Sequence, residues 1–256
     1  MTTHNSLPVA VVTGGAGALG SAIATYFSRR GERVIILDLN GEEAARRAAQ
    51  IGEVTTNPLV SMQVDLSDPI QAQECIQKIS SDFGRLDRLI NNAAFNPKQS
   101  LASTDLDAWD KTMAINLRAP MSLVQAAIPI WQTTRYGQVV NISSRTYLSG
   151  GPAAYTTSKA GLIGLTRSMA LELGRLGVTA NAVAPSMVKT PFTQQGRTEA
   201  EFKAFIEKHT AMSALKRLAN IDDVVNAVGF LASDQATFIT GEVLHVAGGA
   251  QLAAAP

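Results

Sequence analysis

Residues 8–20 read Pro-Val-Ala-Val-Val-Thr-Gly-Gly-Ala-Gly-Ala-Leu-Gly and predict a strand that turns directly into a helix. The apolar, β-branched start is typical of a parallel strand that is buried on both faces. The spacing Gly15-x-Gly17-x-x-Gly20 lets the backbone turn tightly and approach a pyrophosphate. A helical pattern follows from Ser21 to Arg30, and the unpaired N–H groups at the start of a helix attract phosphate. This stretch therefore predicts a dinucleotide-binding unit.

A second apolar run, residues 33–38, ends at Asp38, which lies 18 residues beyond Gly20. An acidic side chain at this distance accepts hydrogen bonds from the adenosine ribose hydroxyls and repels a 2′-phosphate. No arginine or lysine follows Asp38 directly. We therefore expect the cofactor to be NAD rather than NADP. The alternative is that Asp38 only caps the next helix.

The rest of the chain alternates between strand and helix patterns. Further strands are predicted at 59–64, 86–90, 138–142, 178–183 and 242–246, and helices at 42–52, 70–83, 106–131, 152–174 and 222–232. Such alternation implies an α/β, doubly wound (Rossmann-type) parallel sheet of about seven strands, with helices on both faces. The sequence contains neither a repeat nor a linker, so one domain is expected over residues 1–256.

Two segments depart from this regular alternation. The 106–131 helix contains Asn116 and Pro120, and an internal proline predicts a kink near 116–120. Residues 192–213 carry phenylalanine, methionine and histidine side chains among charged ones, a pattern that predicts a mobile amphipathic lid over a substrate.

A proton-transfer site is indicated by Tyr155-x-x-x-Lys159, because residues four apart share one face of a helix. A phenol titrates near ~10, and a nearby cation lowers its pKa. The pair could then exchange a proton with an alcohol or a carbonyl near neutral pH. Ser143 and Ser144 end the preceding strand and would place a hydroxyl opposite this helix face. The alternative is a solvated helix face without catalytic function.

Composition narrows the possible partners and location. The formal net charge is +1 and there is no basic run, which favours neither nucleic acid nor an anionic membrane as a partner. The single cysteine, Cys75, excludes a disulfide framework and a cysteine-rich metal site. The amino terminus lacks a basic n-region, and no apolar run reaches the ~18 residues of a membrane span. We therefore expect a cytoplasmic protein with a small-molecule substrate and no metal.

Taken together, these motifs resemble those of the single-domain short-chain dehydrogenases/reductases, and the resemblance covers almost the full length. The residues that carry it are Thr13-Gly14 with Gly20, Asn91 to Ala93, Asn116, Ser144, Tyr155-x-x-x-Lys159, and Pro185 with Thr190. Ala18 stands where the family usually has glycine. The resemblance implies contacts to the cofactor from Gly14, Ala16, Gly17, Ala18, Leu19, Gly20, Asp38, Asp65, Leu66, Asn92, Ala93, Tyr155, Lys159, Pro185, Val188 and Thr190.

The same resemblance implies a role for each catalytic residue. Tyr155 would be the general acid/base, and Lys159 would lower its pKa and hold the nicotinamide ribose. Ser144 would bind the substrate oxygen. Its distance of 11 residues from Tyr155 is slightly short for the family, so Ser143 remains an alternative. Asn116 would anchor a water molecule that links Lys159 to solvent.

The other implied contacts concern the nicotinamide and the substrate. Val188 and Thr190 would hold the carboxamide of the nicotinamide. Candidate substrate contacts are Phe95, Asn96, Arg145, Tyr147, Met187, Phe192 and the 192–213 lid. Among basic residues, Arg145 and Arg197 suggest an anionic or strongly polar substrate, unless both are simply solvated.

The function expected from the sequence is NAD-dependent hydride transfer between a secondary alcohol or ketone and the cofactor. One alternative is an NADP-dependent 3-oxoacyl-type reductase, which Asp38 argues against. Another is a non-catalytic nucleotide-binding regulatory protein, which would not need the set Asn116, Ser144, Tyr155 and Lys159. The resemblance also implies a homotetramer in which the 106–131 and 152–174 helices pair across a two-fold axis.

Overall fold

The computed structural model describes residues 7–55, 57 and 59–252. The predicted single domain spans 1–256, so residues 1–6 and 253–256 of that prediction lie outside the described residues. Seven strands occur in chain order: β1 (Val9–Thr13), β2 (Arg33–Asp38), β3 (Leu59–Gln63), β4 (Arg88–Asn91), β5 (Gly137–Ile142), β6 (Val178–Pro185) and β7 (Val243–Val246). They form one sheet in the order β3-β2-β1-β4-β5-β6-β7, and every pair is parallel.

Helices connect these strands and cover the sheet. They are α1 (Ala18–Arg29), α2 (Gly41–Glu53), α3 (Pro69–Phe83), α4 (Leu106–Met113), α5 (Ala119–Thr134), α6 (Thr146–Ser149), α7 (Ala153–Leu173), α8 (Pro191–Gln194), α9 (Glu199–Met212) and α10 (Ile221–Leu231). None of the helices in the described ranges is long and apolar enough to cross a membrane.

Two apolar cores lie on opposite faces of the sheet, because successive strand residues point to opposite sides. Val9 and Val11 contribute to the core under α3, α5 and α7. Ala10 and Val12 contribute to the core under α1, α2 and α10. The predicted doubly wound α/β fold, with helices on both faces, is therefore confirmed.

The order of the strands locates the binding cleft. β1 lies between β2 and β4, so the chain leaves β1 in one direction first and in the other direction later. In parallel sheets, ligands bind outside the carboxyl ends of the strands at such a switch point. The glycine turn follows β1, Asp38 is the last residue of β2, and Ser144 follows β5. All three therefore lie at this edge of the sheet.

The interruption predicted near 116–120 takes the form of a π turn over Ala114–Arg118, between α4 and α5. Pro120 lies in the first turn of α5, directly after the π turn, and has no N–H to donate to the carbonyl of Asn116 four residues earlier. The helical backbone continues from α4 through the π turn into α5. π turns are often found at functional sites, and this one contains Asn116.

The predicted lid consists of two helices rather than one. α8 is capped by Thr190, and α9 is capped by Thr198, whose hydroxyl accepts from the N–H of Glu201 while the Glu201 carboxylate accepts from the N–H of Thr198. Reciprocal caps of this kind fix the start of a helix. The lid's mobility stays a prediction.

Candidate active site

The turn after β1 requires glycine at two positions. Gly14 has a φ of +63°, and a Cβ there would lie 2.9 Å from the Cα of Ala93. A Cβ on Gly20 would lie 2.2 Å from the carbonyl oxygen of Gly14. Ala18 is the first residue of α1, and Gly17 precedes it as the extended N-cap. The methyl group of Ala18 is therefore accommodated in a helical position, although the family usually has glycine there.

Two polar side chains fix the glycine turn to the end of β4. The amide nitrogen of Asn92 donates to the carbonyls of Thr13 (2.9 Å) and Gly14 (3.2 Å). The Thr13 hydroxyl accepts from the backbone N–H groups of Asn92 and Ala93, each at 2.9 Å. The side chain of Asn92 is thus used to position the turn. Thr13 was missed as a site residue, and its place directly before the glycines was the available signal.

Asp38, the predicted contact to the adenosine ribose, is the last residue of β2. Its two carboxylate oxygens accept from the backbone N–H groups of Ala16 and Asn40, each at 3.0 Å. Each oxygen keeps acceptor capacity for a hydroxyl. The groove beside it is lined by Asp38, Leu39, Asn40, Gly41, Glu42, Gln63 and Gln195. Among the residues that the structure describes, no basic side chain lines this groove, so nothing there would neutralise a 2′-phosphate.

Asp65 and Leu66, which the family resemblance places beside the adenine of the cofactor, directly follow β3 and Val64. One carboxylate oxygen of Asp65 accepts from the N–H of Ser67 (2.8 Å) and from its hydroxyl (2.6 Å). These hydrogen bonds hold the pKa of Asp65 below its usual range, so it stays an acceptor. The side chain of Leu66 is buried in the core, so only its backbone could contact a cofactor.

The two serines after β5 point in different directions. The hydroxyl of Ser143 is buried and donates to the carbonyl of Lys159 at 3.0 Å. The hydroxyl of Ser144 accepts from the N–H of Thr146 (3.3 Å) and shares a hydrogen bond with the hydroxyl of Tyr155. The geometry therefore favours Ser144 as the serine that faces the substrate.

The electrostatics of Tyr155 and Lys159 differ from the expectation. Burial raises the pKa of Tyr155 to about 12, and only the hydrogen bond from Ser144 acts in the opposite direction. Burial also lowers the pKa of Lys159 to about 7. The Lys159 ammonium donates to the carbonyl of Ile142 at 2.7 Å and lies 5.6 Å from the centre of the Tyr155 ring. Desolvation disfavours the charged forms of both groups, and the predicted lowering of the phenol pKa by Lys159 is not among the causes that set the pKa of Tyr155 here.

Asn116 connects three parts of the site. Its side-chain oxygen accepts from the N–H of Phe95 (2.7 Å), and its amide nitrogen donates to the carbonyl of Phe95 (2.9 Å) and to the hydroxyl of Ser158 (3.0 Å). The predicted water contact would therefore involve the backbone carbonyl. Pro120, four residues later, has no N–H to donate to that carbonyl. Ser158 was missed; it also donates to the carbonyl of Tyr155 at 2.7 Å.

The loop after β6 carries the predicted nicotinamide contacts. Pro185 ends the strand, and Val188 is buried and bridges to Ala219. The hydroxyl of Thr190 accepts from the N–H of Thr193 at 3.4 Å as the cap of α8. This hydroxyl can still donate to a ligand.

The predicted lid begins beside Tyr155. The ring centres of Phe192 and Tyr155 are 6.5 Å apart. The ammonium of Lys98 donates to the carbonyls of Phe192 (2.9 Å) and Gln195. Gln195 also lines the groove beside Asp38. Lys98 was missed, since nothing in its own sequence context indicates a partner nearly one hundred residues later.

The other predicted substrate residues fall into two groups. Phe95 lies under the ammonium of Lys111, and Asn96 accepts from the N–H of Lys98. The hydroxyl of Tyr147, in contrast, is hydrogen-bonded to the Nε2 of His245 on β7 at 2.8 Å. Tyr147 is therefore committed to a protein partner in this structure.

The remaining three predicted residues differ in burial. Met187 is buried beside the β6 loop. Arg197 packs over the ring of Phe205, with 4.1 Å between the guanidinium carbon and the ring centre. Arg145 is buried, so the alternative that it is simply solvated is wrong. Within the described ranges, no group of His, Cys, Asp and Glu side chains could hold a metal ion.

Comparisons with known proteins identify the family. The sequence matches a family model described as enoyl-(acyl carrier protein) reductase over residues 14–251. The (2S)-[(R)-hydroxy(phenyl)methyl]succinyl-CoA dehydrogenase subunit BbsD of Thauera aromatica is 32% identical over 245 residues, covering 95% of this chain and 96% of that protein. The 3-oxoacyl-[acyl-carrier-protein] reductase FabG of Rickettsia felis is 36% identical over 241 residues, covering 93% and 95%.

A solved structure extends this similarity to three dimensions. The crystal structure of an NAD+-bound xylitol dehydrogenase matches with a TM-score of 0.87 at 26% identity, and the match covers 94% of this chain and 98% of that one. The seven-stranded parallel sheet with helices around it agrees with that match. The chain belongs to the short-chain dehydrogenase/reductase family of oxidoreductases.

Proposed function

We propose that this protein is an NAD-dependent oxidoreductase that moves a hydride between a secondary alcohol or ketone and the nicotinamide. The observation that carries the proposal is the hydrogen bond between the hydroxyls of Ser144 and Tyr155, with the buried amine of Lys159 one helical turn away. A substrate oxygen could contact both hydroxyls at once. This arrangement suits addition or removal of a proton on that oxygen.

The cleft supports a dinucleotide and favours NAD. When bound, the cofactor supplies or accepts the hydride, which is chemistry that side chains cannot perform. Gly14 and Gly20 pack too closely to admit a Cβ, and this backbone leads into the amino terminus of α1, where a pyrophosphate is stabilised. Asp38 lies in a groove without a basic side chain among the described residues. The similar solved structure is that of an NAD+-bound xylitol dehydrogenase, which supports NAD as the cofactor.

The chain's own residues account for the proton. In alcohol oxidation, Tyr155 removes the hydroxyl proton, and Ser144 donates to the same oxygen as its charge changes. Lys159, buried beneath them, can hold the proton next, since its pKa lies at about 7. A water molecule on the backbone carbonyl of Asn116, in the π turn, would carry the proton to solvent. Phe192 on the predicted lid lies beside the ring of Tyr155, with 6.5 Å between the ring centres.

An NADP-dependent 3-oxoacyl-type reductase is the second candidate. It is favoured by the similarity to the FabG reductase, whose name specifies a 3-oxoacyl group on acyl carrier protein. The groove around Asp38 argues against a 2′-phosphate, but it does not bear on the acyl group. The substrate therefore has to be decided by experiment.

Initial rates monitored by NADH absorbance test the proposal. A panel of secondary alcohols and ketones is assayed with NAD(H) and with NADP(H), beside a 3-oxoacyl thioester. Turnover of secondary alcohols with NAD supports the proposal. Turnover of the thioester with NADPH alone would instead establish the reductase. Absence of turnover with any pair, while NADH still binds, would indicate a non-catalytic nucleotide-binding protein.

We also propose a homotetramer in the cytoplasm. Leu171 on α7 is 86% exposed and Phe238 is fully exposed, so both apolar side chains are available to contact another subunit. Leu171 belongs to the 152–174 helix that the family resemblance places at a subunit contact. The cytoplasmic location rests on the single cysteine and stays a prediction.

A further inference from the structure

Arg145 is a buried cation without an anionic partner. Its side chain is only 6% exposed. One terminal nitrogen donates to the carbonyl of Ala250 at 3.4 Å, the other lies 4.0 Å from the sulfur of Met212, and Nε has no partner. None of the ion pairs in the described part of the chain includes Arg145. The guanidinium of Arg145 thus has five N–H donors in the interior, and few of them have a hydrogen-bond partner.

Such an arrangement is unfavourable unless a ligand completes it. Burying a charge without a partner is strongly unfavourable, even after the surroundings relax. A guanidinium keeps its proton, and its planar fork matches a carboxylate with two parallel hydrogen bonds. Met212 and the carbonyl of Ala250 supply no charge to offset that of Arg145. An anion bound from solution would supply it.

The position of Arg145 links this charge to the reaction. Arg145 directly follows Ser144, so their Cα atoms are about 3.8 Å apart. The N–H of Arg145 donates to the carbonyl of Pro185 at 2.9 Å, which fixes its backbone at the end of β6. Its side chain ends at Met212 on α9. The side chain therefore extends from the position next to Ser144 to the lid helix.

The charged groups that shift the pKa of His209 on the lid helix are all basic. Phe205, His209 and Met212 are spaced by four and three residues and share one face of α9. The Nδ1 of His209 is hydrogen-bonded to the carbonyl of Phe205 at 2.8 Å, which leaves Nε2 uncommitted. Burial lowers the pKa of His209, and the positive charges of Arg145, Lys208 and Arg197 lower it further. The region under α9 is therefore electropositive.

We propose that Arg145 binds a carboxylate of the substrate, which makes the substrate a secondary hydroxy acid or the corresponding keto acid. The inference rests on the proposed function, because the carboxylate is the distal end of the molecule whose hydroxyl meets Ser144 and Tyr155. A carboxylate is favoured over a phosphate because a single buried guanidinium offers one fork and one positive charge, which matches a monoanion.

Pairs of probes that differ only in charge test the proposal. The probes are the hydroxy acids from 3-hydroxybutyrate to 6-hydroxyheptanoate, each beside its primary amide, assayed with NAD. The enzyme should prefer the acid of the best length by about 10²-fold in kcat/KM, the scale of a buried charge pair. Arg145→Met should remove that preference and leave the amide within a few-fold of the parent. Arg145→Lys should restore part of it.

The control replaces an arginine of the same charge far from the cleft. Arg29 is exposed in the last turn of α1, at the sheet edge opposite the binding cleft. Arg29→Met should leave the preference for the acid unchanged. If Arg145→Met lowers the rates with acid and amide equally, Arg145 only supports the fold and the proposal is wrong. A parent enzyme that prefers the amide would overturn it as well.

A binding experiment separates this proposal from the proposed function. The melting temperature is measured with 4-oxopentanoate, with its amide, and with inorganic phosphate, each in the presence of NAD, which cannot reduce the keto acid. A ligand that binds only the folded state raises the melting temperature. The acid alone should stabilise the parent, and no probe should stabilise Arg145→Met. Stabilisation by the acid without turnover would refute the proposed function and retain the carboxylate site. Turnover with no effect of the acid, or stabilisation by phosphate only, would refute the carboxylate site.

Discussion

The ammonium of Lys159 donates a 2.7 Å hydrogen bond to the carbonyl of Ile142, the last residue of β5. The same nitrogen lies 5.6 Å from the centre of the Tyr155 ring. Burial lowers the pKa of Lys159 to about 7, so its charge is poised near neutral pH. Burial therefore disfavours the charged form of the lysine that lies beside Tyr155.

Lys159→Met should raise the melting temperature of the nucleotide-free protein by a few °C near about pH 7, while abolishing most activity. The folded pKa of Lys159, about 7, lies below its ordinary value of 10.5. The stability that this group contributes is present above the unfolded pKa and is lost as the pH falls through about 7. The advantage of Lys159→Met should therefore shrink as the pH rises towards about 10.5. Thermal scans across this range check it, with the exposed Lys78→Met as control, and an advantage that grows with pH contradicts it.

Tyr155→Phe should lower kcat by about 10²–10⁴-fold, the range of general acid/base catalysis. The ring and its packing against Phe192 remain, and only the hydroxyl is lost. Binding of NADH, followed by fluorescence titration, should hardly change. If the variant turns over within a few-fold of the parent, Tyr155 is not the acid/base. His209 on α9 would then be the group to study.

Alcohol oxidation should accelerate with pH, because Tyr155 must lose its proton and burial raises its pKa to about 12. Reduction, which needs the protonated phenol, should keep its rate to higher pH. The hydrogen bond from Ser144 lowers the pKa of Tyr155, so Ser144→Ala should move the rising limb of kcat/KM to higher pH. Profiles of initial rate in both directions provide the measurement. A limb that stays in place in Ser144→Ala would separate the serine from the titration.

Asp38→Ala should lower the ratio of kcat/KM with NAD to kcat/KM with NADP by at least about tenfold. It removes a carboxylate that accepts from the ribose and repels a 2′-phosphate. Asp65→Ala is the matched control, since its carboxylate lies after β3, where the adenine is expected, and its loss should weaken both cofactors alike. The comparison uses kcat/KM for each cofactor. Equal use of NADP by the parent enzyme would already refute the NAD prediction.

Light scattering at micromolar concentration should give the mass of a tetramer. A tetramer with D2 symmetry contains more than one kind of two-fold interface. Leu171→Glu and Phe238→Glu place a charge at exposed apolar positions on different elements, α7 and the segment before β7. Each variant should yield a smaller assembly while keeping its helical circular dichroism. A monomeric parent refutes the assembly, and tetrameric variants would show that these positions lie outside the interfaces.

The sequence alone determined the order of the elements and the main chemical groups. Side chains return to the same face every two residues in a strand and every 3.6 residues in a helix, so local hydrophobic patterns identify these elements. The glycine spacing after β1, Asp38 at the end of β2 and the four-residue step from Tyr155 to Lys159 are local as well. Each works through neighbours along the chain, and the sheet edge at which they meet follows from parallel topology.

Tertiary structure alone decided which way side chains point at the ends of strands, and what surrounds them. Ser143 and Ser144 are adjacent, yet one donates to the carbonyl of Lys159 and the other bonds to Tyr155. Arg145 contacts residues 67 and 105 positions away, so nothing near it in the sequence indicated that it is buried. The pKa shifts of Tyr155 and Lys159 have the same origin. Desolvation depends on all the segments that exclude water, and those segments meet only when the chain is folded.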